Sequence, residues 1–174
     1  MEMEAPNHTN KISHFTGWFE WYTPKYIIES ARKAMGSIDL DPASNNVANK
    51  VVKAETFYNK EQNGLRFKWH GNVWMNPPYK NSLLEEFTLK LLEAYQIGEV
   101  KQAIVLTNNA TETEWFQLLA GWASAVCFPA KRISFWNLLP VESHPVQGQV
   151  ICYIGKNPDA FEREFKQYGI ILRN

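Results

Sequence analysis

Apolar positions recur along this chain in two rhythms, and the switches between them mark out its elements. Residues 1–15 are polar and without period, which predicts a loose arm. Thr23 before Pro24 reads as a helix start, with Thr as N-cap and Pro at the first helical position. Tyr26, Ile27, Ala31 and Ala34 continue in helical period over 25–35, and Gly36 closes that helix. Short runs at 38–41, 51–54 and 73–76 predict strands, with turn residues at 42–45 and 61–65 between them. Leu84, Phe87, Leu91 and Leu92 give 83–94 one apolar helical face. The unbroken run 103–106 predicts a strand buried on both faces. Trp115, Phe116, Leu118 and Leu119 predict a helix over 112–123. Strands at 125–128 and 150–154, joined by an excursion through 132–149, and a last helix at 159–168 complete the pattern.

Strands that alternate with helices predict an α/β fold of three layers, its sheet mostly parallel, with the two late strands as an antiparallel edge. Ligands in such sheets bind at the carboxyl ends of the strands. Asp41, Asn76 and Thr107 all fall at predicted ends.

Composition narrows the class. A chain of 174 residues predicts one domain, residues 16–174, behind the arm. With 45% hydrophobic and 14% aromatic residues it has the material for a core, so disorder is excluded. Eighteen basic against eighteen acidic residues leave no net charge. That balance argues against a large basic face, though not against a local basic patch. Cys127 and Cys152 lie in apolar runs without metal or redox spacing, so buried thiols are expected. His8, His14, His70 and His144 are scattered and suggest no metal site. No stretch reaches the length of a membrane span and the first residues lack the pattern of a signal peptide, so a cytoplasmic protein with no membrane partner is expected.

The run Val73-Trp74-Met75-Asn76-Pro77-Pro78-Tyr79 carries the chemistry. An apolar strand stops abruptly at Asn-Pro-Pro-Tyr. Asn76 offers a side-chain carbonyl oxygen to one hydrogen of a planar amine, and the Pro77 backbone carbonyl can accept the other. Two acceptors on one amine draw its lone pair out of conjugation with the ring. Tyr79 supplies a flat face for a base, and Pro77 and Pro78 set the local backbone in advance.

Asn-Pro-Pro-Tyr after a strand resembles the catalytic motif of S-adenosylmethionine-dependent amino methyltransferases. Thr23-Pro24, Asp39-Leu40-Asp41-Pro42-Ala43-Ser44, Asn63-Gly64-Leu65 and Asn76-Pro77-Pro78-Tyr79 follow one another in the order seen in phage-type DNA adenine methyltransferases. Thr113-Glu114-Trp115-Phe116 and Arg132-Ile133-Ser134-Phe135 are further echoes. The resemblance covers about residues 18–156. It implies a Rossmann-like methyltransferase fold, S-adenosylmethionine as cofactor, and duplex DNA with a flipped adenine as substrate. Thr23 and Pro24 would then pack against the methionine end of the cofactor, and Asp41, with Asp39 left open, would meet its ammonium group. Pro42, Ala43 and Ser44 stand where many methyltransferases carry a glycine-rich loop, a replacement the phage-type group tolerates. Asn63 takes the place of an Asp that accepts from the cofactor adenine. No acidic residue stands out for the cofactor ribose: Glu55, after the second predicted strand, is the best candidate, and a solvated Glu is the reading favoured over it.

Lys80, Lys131 and Arg132 are candidate DNA phosphate contacts. Trp136, His144 and Gln147 lie in the excursion, where a small target-reading insert would fit. The same tetrapeptide serves enzymes that methylate cytosine, adenine in RNA or a glutamine amide, and these residues do not separate adenine from cytosine. A catalytically silent binding module is the reading from another class.

Overall fold

The computed structural model describes residues 20–138 and 147–174. The predicted arm and His8, His14 and His144 lie outside the described residues. The described elements run α1 (Lys25–Met35), β1 (Leu40–Asp41), α2 (Asn46–Val52), β2 (Thr56–Phe57), a 3-10 turn (Gly64–Arg66), β3 (Gly71–Met75), α3 (Asn81–Gln96), β4 (Val100–Asn108), α4 (Glu114–Trp122), β5 (Ala125–Pro129), β6 (Gln149–Ile154), α5 (Pro158–Phe165) and β7 (Gly169–Arg173).

The strands form one sheet in the order β2-β1-β3-β4-β6-β5-β7. Pairing is parallel from β2 through β1 and β3 to β4. It is antiparallel from β4 through β6 and β5 to β7. The antiparallel part is therefore half the sheet rather than an edge, because β6 returns between β4 and β5 and β7 adds to the far side.

Strand alternation divides the core in two. Val73, Met75, Ala103, Val105, Val150 and Cys152 pack with α3 and α4 residues such as Leu84, Leu91, Trp115 and Leu119. Trp74, Ile104, Leu106, Ile151 and Tyr153 pack with Ile27, Ile28 and Ala31 of α1 and Phe161 and Phe165 of α5. Neighbours in a strand point to opposite faces, so both faces of the sheet are covered by helices. Cys127 and Cys152 sit in opposite clusters, which leaves them as free buried thiols.

Three local expectations are corrected. Residues 51–54 do not form a strand. Asn45 accepts from the Val47 and Ala48 N–H groups and starts α2, which carries Val51 and Val52 to its end. The second strand comes later, at Thr56–Phe57. Thr23 is not an N-cap: Pro24 takes that position and no side chain caps α1. β7, which no periodicity announced, closes the sheet beside β5.

The amino end of the sheet is fixed by Asp39. Its carboxylate accepts from the Asn72 N–H at 2.8 Å and from the Ser37 hydroxyl at 2.7 Å. Gly71, at φ 68°, passes directly over this side chain, and a Cβ there would run into Asp39 Oδ2. Gly71→Ala is expected to lower stability by more than about 1 kcal/mol, because it adds both a left-handed strain and a collision. Urea unfolding of the two proteins measures this, and equal midpoints would contradict it.

Candidate active site

The strand order reverses around β1: the chain moves from β1 outward to β2 and then returns to β3 on the other side. At such a switch point the connections leave in opposite directions and a crevice opens at the carboxyl ends. Leu40 is opposite Val73 in the register of β1 and β3. Asp41 therefore ends one wall of this crevice, and Asn76 follows directly on the other.

Asn76 is held at one end only. Its Nδ2 donates to Thr23 Oγ1 at 3.1 Å. Its Oδ1 is buried and has no hydrogen-bond partner. Buried acceptors are nearly always satisfied within the protein or by water, so a free one at a strand end points to a donor from outside. Pro77 is buried while Pro78 and Tyr79 are exposed, Tyr79 to 37%. The Pro78 carbonyl accepts from the Lys80 N–H at 2.8 Å, which tightens the turn into α3. Burial pushes the Tyr79 phenol above its ordinary value, so it stays protonated.

Across the crevice, Asp41 is buried at 3% exposure. Burial pushes its carboxyl from 3.8 up to about 7, against the lowering effects of the Ser44 hydroxyl and the Ala43 N–H. The Ala43 N–H donates to Asp41 Oδ1 at 3.2 Å. The Ser44 hydroxyl, although close enough to act on the charge, is buried without a hydrogen bond of normal geometry. The turn 42–44 is seated from below. Ser44 N donates to the Tyr58 carbonyl at 2.8 Å. Gly64 lies so close to the Pro42 carbonyl that no Cβ would fit between them. Trp69 Nε1 donates to the Gly64 carbonyl at 2.9 Å and anchors that contact.

The structure thus brings Asp41, Pro42, Ala43, Ser44, Asn63, Thr23, Pro24 and the Asn76–Tyr79 motif to one end of the sheet. Asn63, at φ 57°, is exposed and its side-chain oxygen accepts from the Leu65 N–H. Asp39 is not brought there, since its carboxylate is engaged at the amino end. Glu55 is exposed and ahead of β2. Lys131 and Arg132 follow β5, which runs parallel to β4, so they emerge at the same end as Lys80.

Sequence reasoning missed a strap across this end. Tyr22 and Trp136 exchange backbone hydrogen bonds of 2.7 and 3.0 Å, and Trp136 Nε1 donates to the Thr23 carbonyl at 3.1 Å. Glu20 accepts from Tyr22 and Asn45, tying the strap to the start of α2. No local signal links positions so far apart in the chain. A cleft beside the first turns of α3 and α4 is lined by Ser82, Glu85, Glu112, Thr113, Glu114 and Trp115. Its three carboxylates make that wall acidic and unsuited to phosphate. Among the described residues no group of three or more His, Cys, Asp or Glu is placed to hold a metal, and no helix is long and apolar enough to cross a membrane.

The family model of the DNA N-6-adenine-methyltransferases (Dam) matches residues 18–171, nearly the whole chain. The chain belongs to this family. The DNA N-6-adenine-methyltransferase of Haemophilus phage HP1 (strain HP1c1) is 31% identical over 120 residues, which are 67% of this chain and 66% of that protein. The aligned part thus falls just short of two thirds of this relative's length. The match to the Dam family takes in both walls of the crevice, the strap from Tyr22 to Thr23, and Trp136.

Asp41 gives this Dam-family chain a pH dependence whose sign is fixed. Its folded form holds a proton that the unfolded chain has released between pH 3.8 and about 7. The stability this contributes is complete below that window and lost as pH rises through it. Asp41→Asn cannot ionise. Its stability relative to wild type is expected to climb between about pH 4 and about pH 7 and then level off. Urea midpoints of both proteins across that range measure it, and a constant difference would contradict a buried neutral carboxyl.

Proposed function

We propose that this chain transfers a methyl group from S-adenosylmethionine to the N6 amine of adenine in DNA, by direct displacement on a base turned out of the duplex. The observation that carries the reading is the buried, unpartnered Oδ1 of Asn76, followed in the chain by the Pro77 carbonyl and by Tyr79, an exposed residue. Family membership and the name of the phage HP1 relative favour adenine in DNA over cytosine, RNA or a glutamine amide. A silent binding module is disfavoured, since it gives no account of the free acceptor. We read the helix-covered sheet as a Rossmann-like, three-layer methyltransferase domain spanning residues 16–174, acting in the cytoplasm.

The residues present suit the cofactor. A buried carboxyl at a strand end and an unpartnered Ser44 hydroxyl beside it match a ligand with an ammonium group and further polar atoms. Asp41 would hold the ammonium, with Pro42, Ala43 and Ser44 lining the floor and Asn63 beside them. Thr23 and Pro24 close the side toward Asn76. Bound there, S-adenosylmethionine supplies a methyl group already activated by its sulfonium, so the protein needs no nucleophile of its own.

The chain's part is to present the amine. Flipping the base costs a few kcal/mol. Stacking on Tyr79, on the order of 1–3 kcal/mol, offsets much of it. Asn76 Oδ1 and the Pro77 carbonyl accept the two amine hydrogens and free the nitrogen lone pair. As the amine gains positive charge, the same two dipoles stabilise it without having to reorganise, and the methylated amine then releases one proton to water to give the neutral product. Lys80, Lys131 and Arg132 lie at this end of the sheet and are our candidates for phosphate contacts.

The test is transfer of labelled methyl from S-adenosylmethionine to unmethylated duplex DNA, with product nucleosides identified by mass spectrometry. Wild type is expected to form N6-methyladenine. Asn76→Ala is expected to lose about 100-fold or more in turnover, as when a preorganised polar group is removed from a reacting centre. Tyr79→Ala is expected to fall about tenfold or more through lost stacking, and Tyr79→Phe far less. A near-normal rate for Asn76→Ala would overturn the reading, and methylcytosine as product would change the acceptor. Equal losses for the two Tyr79 variants would assign the effect to the hydroxyl instead of the ring.

A further inference from the structure

We propose that Thr23 is a positioning residue: its hydroxyl sets which end of the Asn76 amide faces the substrate. The inference rests on Asn76 being the acceptor and goes beyond it. An amide presents a carbonyl at one end and an NH2 group at the other, and only the carbonyl can accept from an amine. Nothing in the shape of the group distinguishes the two ends, so the choice has to come from its neighbours.

Thr23 is 7% exposed, and its Oγ1 takes the Nδ2 proton at 3.1 Å. That leaves one buried acceptor without a partner. The reverse orientation would place an NH2 group, with two donors, in the position where Oδ1 now has no partner. An unpaired buried N–H is less tolerated than an unpaired carbonyl. The Thr23 hydroxyl can accept from Nδ2 or donate to Oδ1, so it satisfies whichever end faces it and leaves the open end to decide, in favour of the observed orientation. Without it, neither end of the amide has a partner and the preference disappears.

The position of the hydroxyl is itself determined. Thr23 lies outside α1, so its side chain is not used for capping. Its carbonyl accepts from Trp136 Nε1, and the two backbone bonds between Tyr22 and Trp136 hold the residue before it. Trp136 belongs to the segment between β5 and β6, and through this contact that segment helps to seat Thr23.

The experiment uses the full chain with Thr23→Val, which keeps the shape and removes the hydroxyl, and with Thr23→Ser, which restores it. Turnover, KM for DNA, the dissociation constant for S-adenosylmethionine and thermal unfolding are measured for each. Thr23→Val is expected to lose about tenfold in kcat, the scale of one hydrogen bond to a buried polar group. Val keeps the volume with which Thr23 closes the side of the cofactor, so any change in cofactor affinity or KM is expected to be smaller than the loss in kcat. Thr23→Ser is expected to recover most of the loss. Thr23→Ala gives the same reading should the Val side chain disturb the fold. The proposal is overturned if Thr23→Val keeps wild-type kcat, if its whole loss lies in cofactor affinity, or if Ser is as poor as Val. Asn76→Ala run in parallel separates the two levels. If it is active, the role of Asn76 fails; if it is inactive while Thr23→Val is normal, only the role of Thr23 fails.

Discussion

A side-chain amide buried at the end of a strand has four hydrogen-bonding positions to satisfy, and the protein around Asn76 provides for one end and leaves the other open. Nδ2 donates to Thr23, while Oδ1 is enclosed with nothing to accept from. Leaving a buried polar atom unpaired costs free energy. The surrounding structure has to hold the group there against that cost. It does so with a strand whose residues Val73, Trp74 and Met75 are almost fully buried between two helical layers of core. Two prolines follow and allow the backbone little freedom.

The sheet topology gives this arrangement its second half. Because β1 and β3 are adjacent and parallel, Asp41 and Asn76 emerge side by side. The turn after Asp41 lacks a glycine-rich loop and is held instead by packing. Gly64 touches the Pro42 carbonyl, and Trp69 fixes Gly64 from beneath. The glycine needed for close approach has thus moved from the turn itself to the segment that supports it. The strap 20–24 then crosses from the start of α2 to the segment after β5, passing Asn76 on the way. The start of α2, the Asn76 side chain and the segment after β5 are thus joined by one short piece of chain.

Much of this was legible in the sequence, and the failures have physical causes. The long helix α3 was evident from its sustained apolar period, and the motif strand and the buried strand β4 from unbroken apolar runs. The Val51–Val52 pair was misread because two apolar residues cannot distinguish a strand from the last turn of a helix. The Asn45 cap that decides the matter stood six residues earlier. Asp39 was left open beside Asp41, since a two-residue strand period would turn both to the same side. That period does not extend to it, since β1 contains only Leu40 and Asp41, and its carboxylate turns to the Asn72 N–H. The place of β6 between β4 and β5 depends on pairing across the sheet, and the Trp136–Thr23 contact joins residues with no shared local pattern. The Thr23 hydroxyl reads as a helix cap in the sequence, and in the structure it is used by Asn76 instead.

If Asn76 acts through a free, buried carbonyl oxygen, single-turnover methyl transfer separates Asn76→Asp from Asn76→Ala. Asp keeps an acceptor oxygen in the same place and can receive a hydrogen bond from Thr23 through its other oxygen, whereas Ala has none. Asn76→Asp is expected to retain far more transfer to adenine than Asn76→Ala, whose rate falls about 100-fold or more. Loss of activity in Asn76→Asp equal to that in Asn76→Ala, with both folded and binding cofactor, would contradict a role for that oxygen.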